Sequence, residues 1–133
     1  MKKKASKFLT WLPRILSIIF IAFLAMFSLD VFEPGRQWWE ILLGLFMHNI
    51  PVFVLIAVLI IAWKHEIVGA IAFGLAGLLH IVLTINRAGL PWQLAFSLSL
   101  IIAGPAFIIG FLFLHNWCKK RNQQSNPPSK AKH

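Results

Sequence analysis

Four apolar runs, at about 12–32, 41–62, 67–85 and 94–116, constrain this chain more than any other feature in it. Each is about 19–23 residues long, and about 20 suffice for a helix to cross the hydrocarbon core of a bilayer. A backbone in lipid must satisfy its own polar groups, so the runs are expected as helices and not strands. The breaks between them differ in chemistry. "DVFEPGRQ" carries the turn pair Pro34-Gly35, and "NRAGLP" carries Gly89 and Pro91. "WKHE" is so short that the second and third helices must be antiparallel neighbours. The expected fold is an all-α membrane protein with four transmembrane helices in an up-down bundle. A basic segment, 1–10, precedes the membrane domain, 11–118. A disordered basic tail, 119–133, follows it.

Composition closes off the soluble alternatives. The chain is 59% apolar and its four acids are Asp30, Glu33, Glu40 and Glu66, too few to make a water-facing surface. The net charge of +9 lies mainly at the chain ends, which suits anionic lipid headgroups and topology control rather than nucleic acid. A single cysteine, Cys118, excludes an internal disulfide, a CxxC redox pair and a Cys-rich metal site. HExxH, GxSxG and Walker sequences are absent, so the expectation is a protein that is no enzyme and holds no metal or cofactor. The first run is long and "AMFSLD" lacks a small-x-small cleavage pattern, so it is expected to stay as a span.

Charge gives an expected direction. With the start of the chain in the cytoplasm, Lys2, Lys3, Lys4, Lys7, Arg14, Lys64, Lys119, Lys120, Arg121, Lys130 and Lys132 lie inside, and only Arg36 and Arg87 lie outside. Trp11, Trp63 and Trp117 then fall at the inner ends of the spans, and Trp38, Trp39 and Trp92 at the outer ends, all in interfacial belts. The expected location is the cytoplasmic (inner) membrane, with both termini in the cytoplasm. A shift of 54 positions superposes Gly35 on Gly89, Trp38 on Trp92, Pro51 on Pro105 and Trp63 on Trp117. Two copies of one helical hairpin, parallel in the membrane, would produce this pattern, as would loop glycines and interfacial tryptophans recurring by chance.

Polar residues inside the spans are the candidates for function. His48 and His80 lie about 5 Å outward of the middle of their runs. Asn49, Thr84 and Ser97 share the outer half, and Asp30 is nearer the interface, so these six outline an outward-facing pocket. The inner half offers only Ser17. In the third run Ala72, Ala76, His80 and Thr84 recur every four residues, flanked by Gly69 and Gly77, a stripe that would let helices approach and hydrogen-bond. Gly104 with Pro105 is the counterpart in the fourth run. Pro51 and Pro105 are expected to kink their helices. Three readings of the two histidines compete: hydrogen-bonded packing between helices, a path for a substrate, ion or proton, and axial ligation of a haem. Packing is the expectation adopted. Arg14 is read as snorkelling to headgroups and Glu66 as a first-turn acid complementing its helix dipole.

The runs "LPRILSIIFIAFLAMFSLDVF", "WWEILLGLFMHNIPVFVLIAVLIIAWKHEIVGAIAF" and "GPAFIIGFLFLHNW" together resemble a family of small, uncharacterised four-helix membrane proteins of prokaryotes, over about Leu12 to Trp117. The shared features are Asp30 after Leu29, Trp39-Glu40, His48 with Pro51, Trp63-Lys64 with Glu66 and Gly69, and Gly104-Pro105 with Trp117. The resemblance implies the four-helix fold and supplies no chemistry. The functional expectation is a non-enzymatic structural or accessory membrane protein, its partners being the lipid bilayer and a second copy of itself. The alternative is a small transporter or channel using the outer pocket.

Overall fold

A computed structural model describes residues 2–87 and 89–126, with side chains from Lys7 onward. It contains four helices: α1 (Lys2–Met26), α2 (Trp38–Ala62), α3 (Glu66–Arg87) and α4 (Trp92–Ser125). A short 3-10 turn, Phe27–Val31, extends α1. All four helices are long and apolar enough to span a membrane, and the described residues include no strand. They run up and down, each packed against its neighbours in the order α1, α2, α3, α4 and back to α1. The start of α1 and the end of α4 therefore share one end of the bundle, the terminal end. The loops before α2 and before α4 form the distal end.

Local chemistry sets the element boundaries. Ser28 Oγ donates to Ala25 O at 2.6 Å where α1 tightens into the 3-10 turn. Gly35 (φ 99°) and Gly89 (φ 55°) supply the left-handed backbone of the two distal loops, a conformation costly for other residues. Glu40 Oε2 accepts from Gln37 N at 3.3 Å at the start of α2, a carboxylate on the positive end of the helix. At the terminal end, Lys64 and His65 complete a turn so tight that His65 N still bonds to Ile61 O.

Two boundaries differ from the sequence expectation. Helix α1 begins at Lys2, and α4 continues to Ser125, so 119–125 is helix where disordered tail was expected. The lipid boundary does not end a helix. Lys, Arg and Gln sustain it in water, and it stops at Asn126, which precedes Pro127 and so disfavours the helical conformation. The remainder of that tail, 127–133 with Lys130 and Lys132, and the side chains of Lys2, Lys3 and Lys4 lie outside the described residues. Pro51 and Pro105 sit inside unbroken helices.

Packing is uneven along the bundle. Helices α3 and α4 touch backbone to backbone: a Cβ at Gly110 would lie 3.1 Å from Ala70 O and 3.2 Å from Gly74 N. One at Gly69 would lie 2.9 Å from the Phe113 ring, and one at Gly77 3.1 Å from Phe107. Phe73 and Phe113, both fully buried, stack at 6.1 Å, and Phe20 of α1 reaches Phe73 at 6.3 Å. The buried residues of α2, Val52, Leu55, Leu59 and Ala62, all belong to its terminal half. Its distal half meets the 3-10 turn at Gly44, where a Cβ would fall 2.7 Å from Val31 Cγ1. The small-residue stripe of α3 thus divides. Gly77 faces α4 and Gly69 meets both Phe113 of α4 and Ala62 of α2, whereas Ala72 and Ala76 line a groove beside α2. Gly104 has nothing within 4 Å of its Cβ position and holds no helix close.

Candidate functional site

Polar contacts between helices gather at the terminal end, in the half where the sequence offered only Ser17. Pro13 is the cause of one. It has no N–H, so the carbonyl of Leu9, four residues back, loses its helical partner. Asn116 of α4 supplies the replacement, donating Nδ2 to Leu9 O at 2.8 Å. Ser17 Oγ donates to Pro13 O at 2.6 Å one turn further on.

Beside this tie lies a buried ion cluster. Glu66, in the first turn of α3, is 3% exposed. Its Oε1 accepts from Lys120 Nζ of α4 at 2.8 Å and lies 4.0 Å from the Arg14 guanidinium of α1. Arg14 is itself buried and donates Nη2 to Trp63 O at 2.9 Å, the carbonyl just past the end of α2. Its guanidinium carbon lies 5.6 Å from the centre of the Trp11 ring and 5.0 Å from that of Trp63. The two indoles meet edge to face at 5.7 Å. A guanidinium over aromatic faces recovers part of the hydration it gives up. Arg14 Nε and Glu66 Oε2 have no hydrogen-bond partner among the described residues. The cluster joins all four helices at one level, which corrects the reading of Arg14 as a snorkelling side chain and of Glu66 as a plain dipole partner. Lys120, with its side chain 54% exposed, is the one member that reaches out of the bundle.

The distal half is organised differently. Asn49 Nδ2 donates to Leu45 O, Thr84 Oγ1 to His80 O and Ser97 Oγ to Gln93 O, each at 2.8 Å and each on its own helix. Such i−4 bonds satisfy a hydroxyl or amide without linking helices. Asp30 is exposed near the distal end. The interhelical hydrogen bonds expected of this set are absent among the described residues, and the six do not converge on one pocket. Two of them do. His48 and His80 both line a groove of about 950 Å³ between the middle parts of α2 and α3, from His48 to Val58 and from Ala72 to Leu83. Its floor is built by Phe20 and Leu24 of α1 and Ile102 and Ala106 of α4. His80 Nε2 lies 3.5 Å from Thr84 Oγ1, and His48 has no polar partner among the described residues.

The tryptophans lie at the two ends of the bundle. Trp11 and Trp63 meet at the terminal end, where Trp117 receives Arg121 at 5.3 Å, and Trp38, Trp39 and Trp92 begin the two helices that start distally. Among the described residues no three His, Cys, Asp or Glu side chains come together as metal ligands.

Sequence reasoning missed Arg14, Glu66, Lys120 and Asn116 as one site. A signal was present: Arg14 falls inside an apolar run, and an ionisable side chain there asks for a partner. A family model described as Domain of unknown function (DUF7670) matches residues 1–125. No curated protein and no solved structure matches the chain.

Proposed function

The chain belongs to this family of unknown function, and from that premise we propose that it is a non-enzymatic accessory protein of the cytoplasmic membrane, working within the bilayer with both termini in the cytoplasm. One observation carries the reading. Every polar tie between helices among the described residues is at the terminal end, while the distal polar groups bond to their own helices. A bundle clamped at one end and grooved between α2 and α3 across its middle is suited to receiving a hydrophobic body from the side. It is poorly suited to conducting a polar solute, which needs facing polar groups along a path. The basic terminal end would rest on anionic headgroups, and the exposed apolar faces leave room for a second copy.

The second reading, a small transporter, is favoured by one fact: His48 and His80 share a groove. Complementation of a gene deletion separates the two. The His48→Gln, His80→Gln double variant should restore the deletion phenotype almost fully, since an amide keeps one donor and one acceptor but carries no titratable proton. Loss of complementation by a variant that melts like the parent, together with pH-driven uptake by parent-protein vesicles, would replace the accessory reading with transport.

A further inference from the structure

We propose that the groove between α2 and α3 binds a neutral, tailed para-quinone, an inference that rests on the accessory reading of this groove and names the occupant. The groove is lined on its two walls by Pro51 and Val54 of α2 and by Ala72 and Leu79 of α3. Pro51, Val54 and Leu79 are exposed mid-helix residues, so the groove opens on the outer face of the bundle, where a spanning helix meets lipid rather than water. Its polar groups are the imidazoles of His48 on one wall and His80 on the other.

His48 lies about 3 Å from the middle of α2, deep in the hydrocarbon. An imidazole there without a partner is costly, and His48 has none among the described residues. His48 is exposed on the face of the bundle, so an occupant that brings hydrogen-bonding capacity to this depth relieves that cost. Charged and zwitterionic headgroups stay at the interface, so phospholipids offer only their chains here. A neutral ring does not face that barrier. A para-quinone is flat, apolar on both faces and carries a carbonyl acceptor at each end, suited to donors on two opposite walls. Each neutral imidazole has one N–H to give. The phenyl rings of Phe20 and Phe27 line the same space and can meet the ring faces, and the side opening lets an alkyl tail run out among the lipid chains. The inference concerns binding alone.

The test uses the full chain in nanodiscs, with empty nanodiscs of the same lipid to subtract simple partition. The probe is 2,3-dimethoxy-5-methyl-6-decyl-1,4-benzoquinone, and decylbenzene is the control with the same tail and no acceptor. The parent protein should hold the quinone saturably, near one per chain, and hold no decylbenzene above partition. The His48→Leu, His80→Leu double variant should bind about tenfold more weakly, and His48→Gln within about threefold of the parent, because its amide still donates. Ala72→Leu keeps both histidines and fills one wall, and should abolish saturation; it serves as the second variant if the leucine pair fails to fold by circular dichroism and gel filtration. The proposal is overturned by quinone uptake no greater than in empty discs. Equal retention of decylbenzene would overturn it too, as would unchanged binding in folded leucine or Ala72→Leu variants. Complementation by the amide double variant is independent of each of these outcomes.

Discussion

Glu66 is the residue on which the terminal end turns. Two cations, Arg14 and Lys120, share its carboxylate, and Arg14 is buried against two indoles. Glu66→Leu removes the only acid of the cluster and leaves a guanidinium in a dry site, a change that costs about 3–5 kcal/mol when a buried pair is broken. Lys120→Met should cost less, about 1–3 kcal/mol: the lysine is half exposed, but it gives the buried carboxylate its one hydrogen bond. Replacing Arg14 and Glu66 together, as Arg14→Met and Glu66→Leu, should recover most of the loss, since both desolvation penalties vanish with the pair. Thermal melting in detergent measures all three. A double variant no more stable than Glu66→Leu alone would mean that Arg14 matters for its bond to Trp63 O and its ring contacts rather than for charge. In the sequence only Arg14, an ionisable residue inside an apolar run, pointed to such a cluster, and it did not name its partners. Arg14, Glu66 and Lys120 are far apart in sequence, and each has a plausible solitary role near a membrane surface. Only the packing of α1, α3 and α4 at one level joins them.

At the scale of the helix, the pattern of apolar runs was sufficient to find all four spans, because lipid imposes length and internal bonding on any segment that crosses it. It could not say which glycines matter, since a small side chain reads alike whether it faces a helix or open space. Gly69 and Gly104 are the contrast. A methyl at Gly69 would press to 2.9 Å on Phe113 and 3.0 Å on Ala62, and Phe113 is fully buried with nowhere to retreat. Gly69→Ala should therefore destabilise by about 1–3 kcal/mol, the usual cost of overpacking a filled site. Gly104→Ala meets nothing and removes backbone freedom from a helix interior, so it should be neutral or stabilising by up to about 1 kcal/mol. Melting curves of opposite sign are the expected result; a loss at Gly104 as large as at Gly69 would indicate that α4 packs against something outside this chain. The distal pocket shows the same limit. Periodicity put His48 and His80 at one depth, and the two do share a groove, but it could not foresee that Asn49, Thr84 and Ser97 would turn back on their own carbonyls.

For the whole molecule, the up-down order puts the start of α1, the α2–α3 turn and the end of α4 at one end, a placement made firm by the bond from Asn116 to Leu9 O. Charge then argues which side of the membrane that end occupies. Lys7, Lys64, Lys119, Lys120 and Arg121 gather there among the described residues, against Arg36 and Arg87 at the distal loops. Arg36 is further offset by its ion pair with Glu33 at 2.9 Å, while Arg14, tied up inside the bundle, adds little to the bias at the terminal end. Positive residues flanking spans are retained in the cytoplasm, so the terminal end should face inward. Cys118 reports on this directly. It is exposed, free, and one residue past Trp117 on the part of α4 that leaves the bundle at that end. A membrane-impermeant maleimide should leave it unmodified in intact cells and label it once the membrane is opened. A cysteine placed in the loop before α2 by Glu33→Ser and Arg36→Cys in a Cys118→Ser background should behave in the opposite way, reacting in intact cells. Labelling of Cys118 from outside, with protection of the loop cysteine, would invert the molecule. It would also bring His48 and His80, on the distal side of the α2–α3 groove, toward the cytoplasmic leaflet.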